Sequence, residues 1–117
     1  MKKLVPLAGA AAAILFLLPA AAEARPARCV VAAAGAPHYS GPCDFQAERG
    51  GSFTVTPARG RRFSGGVSSI SLAIVAEGVG EVRGLTADGI NSRWGEARRS
   101  TRDRACWVGA DFSLCVY

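Results

Sequence analysis

The side chains in this chain with chemistry to offer are four cysteines, one histidine, two tryptophans and a surplus of arginine. Cys29, Cys43, Cys106 and Cys115 stand 14, 63 and 9 residues apart. Zinc sites use closely spaced Cys or Cys/His pairs, and only His38 could join these cysteines, so metal is the weaker reading. In an oxidising compartment an even count reads as disulfides, and four cysteines allow three connectivities. Cys29 with Cys43 and Cys106 with Cys115 are expected, because each pair brackets its own turn: Gly35-Ala36-Pro37 in one, Gly109-Ala110-Asp111 in the other. If Ala110-Asp111 is a two-residue hairpin loop, Gly109 faces Phe112, Trp107 faces Leu114 and Cys106 faces Cys115. That last pair is non-hydrogen-bonded and close enough for a bridge. Ala-Asp is a poor match to the primed turns, so a longer loop is the alternative. The turn between Cys29 and Cys43 is likewise expected to set those two opposite each other.

Catalytic groupings are thin. His38 lies in Pro37-His38-Tyr39-Ser40, a polar turn where a histidine faces solvent. A Ser-His-Asp site could draw on the serines and Asp44, yet no Gly-x-Ser-x-Gly elbow frames a nucleophile. The eight acids beyond residue 24 are scattered singly, unlike the carboxylate pairs of glycosidases. Ser64-Gly65-Gly66 has no lysine downstream to make a phosphate loop. Two bridges leave no free thiol. Neither an enzyme activity nor a cofactor is expected; a small hydrolase is the remote alternative.

Charge says more. From Arg25 onward twelve bases face eight acids, a net +4 (12 − 8), and all twelve are arginines. A genome rich in Arg, Ala and Gly codons would give this with no functional demand. The functional reading is contact with phosphates or carboxylates, which a guanidinium grips in bidentate fashion and a lysine does not. One cluster is Arg59, Arg61 and Arg62 around Gly60. The other is Arg93, Arg98, Arg99, Arg102 and Arg104, diluted by Glu96 and Asp103. Trp107 must point to the opposite side of its strand from Cys106. An inward indole packs the core; an outward one would join Trp94 and the arginines in a sugar- or protein-binding patch. The candidate binding surface is therefore Arg93, Trp94, Arg98, Arg99, Arg102, Arg104 and Trp107.

These groups need an address and a scaffold. Lys2 and Lys3, an apolar stretch over 4–18, Pro19 and Ala22-Glu23-Ala24 have the anatomy of a secretory signal peptide cleaved before Arg25. A retained anchor is the rival, since 4–22 is long enough to span a bilayer, but Pro19 breaks the helix and no polybasic stop follows. Arg28 before Cys29 is not the small residue that a lipid-attachment site requires. Export to the periplasm or beyond is expected, with residues 1–24 removed and 25–117 forming one domain. A domain this small has a thin core, which disulfides commonly reinforce.

The scaffold reads as short strands. Residues 52–56 alternate with Phe53 and Val55 on one face, and Pro57 ends them. Residues 69–76 put Ile70, Leu72, Ile74 and Ala76 on one face, Ser69, Ser71, Ala73 and Val75 on the other. Glu77-Gly78-Val79-Gly80 turns the chain into 81–86, and Asp88-Gly89 gives a hairpin signal before Ile90. From 91 to 97 the pattern is ambiguous: either Trp94 sits on the buried face of a strand, or the arginine-rich stretch to Arg104 includes a helical turn. The expected fold is all-β: an antiparallel meander, curled sheet or small barrel of about seven strands with two local disulfides. Tyr117 has the look of the closing aromatic of outer-membrane barrels, but the chain barely supplies eight spanning strands and only 70–76 is convincing as one.

Tyr39-Ser40-Gly41-Pro42-Cys43-Asp44-Phe45, Gly51-Ser52-Phe53, and Ala105-Cys106-Trp107 with Cys115 nine residues on resemble small secreted disulfide-containing proteins of Gram-negative bacteria that have no assigned function. The shared residues specify a scaffold and carry no activity with them. Small envelope inhibitors of lysozyme are similar in architecture alone, because the Ser-Gly-x-x-Tyr segment of one such group is missing. The expected role is a non-catalytic binding or inhibitor-like module for an envelope protein or glycan. An arginine-rich surface for anionic lipid or lipopolysaccharide is the alternative. Nucleic acid is an improbable partner in that location, and a monomer is expected.

Overall fold

The alternation of apolar and polar side chains that begins near Cys29 continues through eight strands, one more than expected. A computed structural model describes residues 24–117; the segment read as a signal peptide, 1–24, lies outside them apart from Ala24. The strands are β1 (Arg25–Ala33), β2 (Tyr39–Ala47), β3 (Phe53–Pro57), β4 (Val67–Ala76), β5 (Val79–Thr86), β6 (Asn91–Arg99), β7 (Cys106–Gly109) and β8 (Phe112–Val116). Each pairs antiparallel with the next and β8 pairs with β1, so the sheet closes into an up-and-down barrel with no free edge.

Side chains fill the interior, as an eight-stranded barrel allows. Val31, Val55, Ile70, Leu72, Val82 and Leu114 are at most 1% exposed. Burying each contributes roughly 1.5–3 kcal/mol. Bulky groups are accommodated where the facing strand carries glycine. Leu72 lies over Gly80, where a Cβ would meet its Cδ2 at 2.6 Å. Trp94 lies over Gly84, where a Cβ would be 2.8 Å from the indole Nε1. Trp94 reaches that position through a bulge between Val82 and Arg83, opposite which Gly95 takes φ +116°. Residues 91–97 are thus strand rather than helical turn, with the indole packed against Phe112 at 5.6 Å between ring centroids.

The outer face carries mostly polar side chains, such as Ser40, Asp44, Thr54, Ser71, Glu81 and Arg83, with Val75, Leu85 and Val108 exposed among them. Apolar inside and polar outside is the reverse of a lipid-facing barrel, and β3, β7 and β8 have only 5, 4 and 5 residues where a membrane strand needs about 9–11.

Both expected bridges are present. Cys106 faces Cys115 and Trp107 faces Leu114, as the two-residue loop requires. The Val116 amide donates to the Ala105 carbonyl, which makes the neighbouring cysteine pair non-hydrogen-bonded, with Cα atoms 3.9 Å apart. The loop forms although neither Ala110 nor Asp111 has positive φ. Cys29 and Cys43 differ from the expected geometry. Cys29 pairs with Gly41 and Cys43 with Ala27, so their bridge runs diagonally, one step along the ladder, with Cα atoms 5.8 Å apart. It lies inside the barrel, where both residues are buried. The β7–β8 bridge faces outward and is partly exposed.

Candidate functional site

An up-and-down barrel has two ends, and strand direction decides which side chains meet at each. The starts of β1, β3, β5 and β7 and the ends of β2, β4, β6 and β8 share one end, here called the mouth. Inward alternation from Cys29 and Cys43 brings Arg25 and Phe45 there as a directly opposed pair. Phe53 opens β3 with its ring 5.2 Å from Phe45. Arg99, last in β6, pairs with Trp107 of β7. Two adjoining clefts open among these residues. The narrow one, about 180 Å³, lies between Arg25, Phe45, Phe53, Arg99, Trp107 and Val116. The wider one, about 460 Å³, is lined by Gly50, Ile74, Glu77, Gly78, Arg99, Ser100, Thr101, Arg104 and Trp107. Gly51, Arg99 and Trp107 belong to both.

The guanidiniums of the mouth are held by contacts other than carboxylates. Arg25 lies over the Phe45 ring, Cζ 4.5 Å from its centroid. Arg99 lies over Trp107 at 5.5 Å, and its Nε donates to the Arg104 carbonyl at 2.7 Å. Among the described residues neither these two nor Arg104 forms a salt bridge. Two exposed cations stacked on aromatic faces, whose terminal nitrogens have no partner among the described residues, can receive an oxyanion. Among the described residues Glu77 is the one carboxylate lining either cleft.

The rim loop between β6 and β7 is held by its own hydrogen bonds. The Ser100 hydroxyl accepts from the amides of Arg102 and Asp103 at 3.2 Å each. One Asp103 oxygen accepts from the Ala105 amide at 3.0 Å, the other from the Tyr117 hydroxyl at 2.6 Å. That hydrogen bond, with a little burial and the carboxylate's charge, raises the Tyr117 phenol above its usual range, against a small opposing pull from Arg28.

The structure divides the surface expected from sequence. Arg99, Arg104 and Trp107 line the mouth. Arg93 and Trp94 lie at the opposite end of β6, six residues from Arg99 and so about 20 Å away along the strand. They border a separate cleft with Ala33, Ala34, Asp111 and Phe112. Arg98 points outward and pairs with Glu96 at 3.3 Å; Arg102 is exposed on the rim loop and lines neither cleft. Arg93 is also engaged: it and Arg83 share Glu81, at 2.8 and 3.4 Å. Trp107 is 5% exposed, which places it in the core with only its margin at the clefts and overturns an outward patch. Of the first cluster, Arg59, Arg61 and Arg62 are all exposed, and Arg61 lies over Tyr39 at 4.8 Å at the far end, also without a salt bridge among the described residues. His38 is exposed in the β1–β2 loop and Asp44 is exposed on β2. Among the described residues no three of His, Cys, Asp and Glu lie together as a metal would require.

Sequence reasoning missed Arg25, Phe45, Phe53 and Glu77. The usable signal was alternation: with the Cys29–Cys43 bridge placed inside, Ala27 and Arg25 follow inward on one strand and Phe45 on the other. No protein-family model matches this chain, and comparison with curated proteins and with solved structures likewise finds no match.

Proposed function

We propose that this chain is an exported, non-catalytic binding module that engages an envelope protein or glycan through the mouth of its barrel. The observation that carries the reading is the pair of guanidiniums, Arg25 on Phe45 and Arg99 on Trp107, that no carboxylate neutralises among the described residues. Such groups remain available to a partner without first breaking an internal ion pair. A broad anionic-lipid surface is less well supported. Arg83, Arg93 and Arg98 share carboxylates, which dilutes the field that a membrane would feel. Among the described residues, exposed arginines without a salt bridge, such as Arg28, Arg49, Arg59, Arg62 and Arg102, are spread over both ends and the side of the barrel rather than gathered on one face.

The test is retention of periplasmic extract and solubilised envelope glycan on the immobilised 25–117 domain. Replacing Arg25 and Arg99 together by Gln should abolish retention, whereas replacing Arg83 and Arg93 by Gln should leave it intact. The opposite pattern would move the site to the far end of the barrel and end this proposal.

A further inference from the structure

We infer that the ligand of the mouth is an anionic sugar residue, its carboxylate or phosphate held between Arg25 and Arg99 and its ring in the wider cleft. This rests on the mouth being the binding surface. The two clefts meet at Arg99, so one ligand can occupy both, and they ask for different chemistry. The narrow cleft offers two guanidiniums against Phe45, Phe53 and Val116. It suits a compact oxyanion.

The wider cleft is mixed in a way that suits a polyol. Glu77 can accept from a hydroxyl, Arg104 can donate, and Ser100 and Thr101 can do either. Gly50 and Gly78 present bare backbone, with nothing within 4 Å of where a side chain would begin. Ile74 and the margin of Trp107 supply an apolar wall for the C–H face of a ring. A fatty-acid tail in this cleft would strip water from Glu77 and Arg104 and give nothing back, a cost of the kind by which polar sites reject apolar analogues. A neutral sugar would fill the wider cleft and leave the two stacked cations unused. The ligand must therefore carry both an oxyanion and adjacent hydroxyls.

Calorimetric titration of the 25–117 domain at low salt tests this with five probes: glucuronate, a hexose phosphate, glucose, inorganic phosphate and a short peptide carboxylate. At least one anionic sugar should bind about tenfold or more tighter than either glucose or phosphate, since each charge-assisted contact contributes about that factor. Arg25→Gln and Arg99→Gln should each weaken it by about tenfold or more. Arg99→Lys should do likewise, because an ammonium, although it can sit over the indole, has no planar fork for a bidentate contact. Glu77→Gln should weaken the sugars and spare phosphate. An unchanged melting temperature shows that each variant is folded. Phosphate binding as tightly as the anionic sugars, undiminished binding in Arg99→Lys, or preferential binding of the peptide would each overturn the inference. If no sugar binds but the Arg25/Arg99 double variant still loses its envelope partner, the sugar assignment fails and the mouth stands. If no sugar binds and that variant keeps its partner, both fall.

Discussion

Removing the two disulfides one at a time should give unequal losses, and the inequality follows from which way the cysteines face. Counted inclusively, residues 29–43 and 106–115 close loops of 15 and 10 residues. The chain-entropy relation gives about 3 and about 2.7 kcal/mol for loops of these lengths, so closure alone barely separates them. Burial does. Cys29 is 0% and Cys43 3% exposed, and replacing both by Ala empties two sulfur-sized volumes from a packed interior. At about 1 kcal/mol per methyl-sized void, the inner pair should cost about 5 kcal/mol in all, comparable with the whole stability of a small domain. The outer pair should cost about 3 kcal/mol, equivalent to a fall in Tm of roughly 12–24 °C for a domain of this size. Circular dichroism melts of the two double-Ala variants measure both. In the intact protein, thiol labelling under mild reductant should find Cys106 and Cys115 long before Cys29 and Cys43, since attack on the inner bridge requires the barrel to open. Equal labelling rates, or a larger loss from the outer pair, would refute this placement. Such a result would also remove the alternation that turns Arg25 and Phe45 into the mouth.

Three further outcomes are expected. Gly80→Ala should destabilise by about 1–3 kcal/mol, because its Cβ would meet the buried Leu72 and that side chain has nowhere to go; denaturant melts measure it. Tyr117 should ionise above the usual tyrosine range, as followed by phenolate absorbance against Tyr117→Phe. Its folded-state pKa is raised, so the Asp103 contact is present below the unfolded pKa and is lost as pH rises through the folded one; a normal or lowered titration would contradict the hydrogen bond. Arg98→Ser with Arg102→Ser should change neither Tm by more than a degree or two nor retention of the envelope partner, because both side chains are exposed and line neither cleft; a loss of retention would show that the site extends over the rim.

Much of the fold is legible in local patterns. Counting outward from Ala110-Asp111 yields the β7–β8 register because a two-residue loop leaves no freedom. Ile70 and Leu72 fall inside because period-two alternation has only two phases, and the core takes the apolar one. The diagonal Cys29–Cys43 bridge is harder, since residues 34–38 form a loop long enough to permit several registers. The candidate site was legible only in part, for a geometric reason. Arg93 and Arg99 are close in sequence but belong to opposite ends of an extended strand, whereas Arg25 and Arg99 are far apart in sequence and meet because the barrel closes between β8 and β1. Ring closure is a property of all eight strands together, and no local window contains it. Trp94 could have been placed inside from its neighbour: Gly95 in a strand interior marks a bulge that re-aims the adjacent side chain.

The most direct test of the mouth as the binding surface is to map amide chemical-shift changes on isotopically labelled 25–117 domain as the envelope component it retains is added. Changes should concentrate at Phe45, Gly50, Gly51, Arg99 and the 100–105 rim, and be absent from the far-end residues Arg93, Trp94 and Asp111. Changes confined to that far end, or spread along the outer charges of β5 and β6, would contradict it.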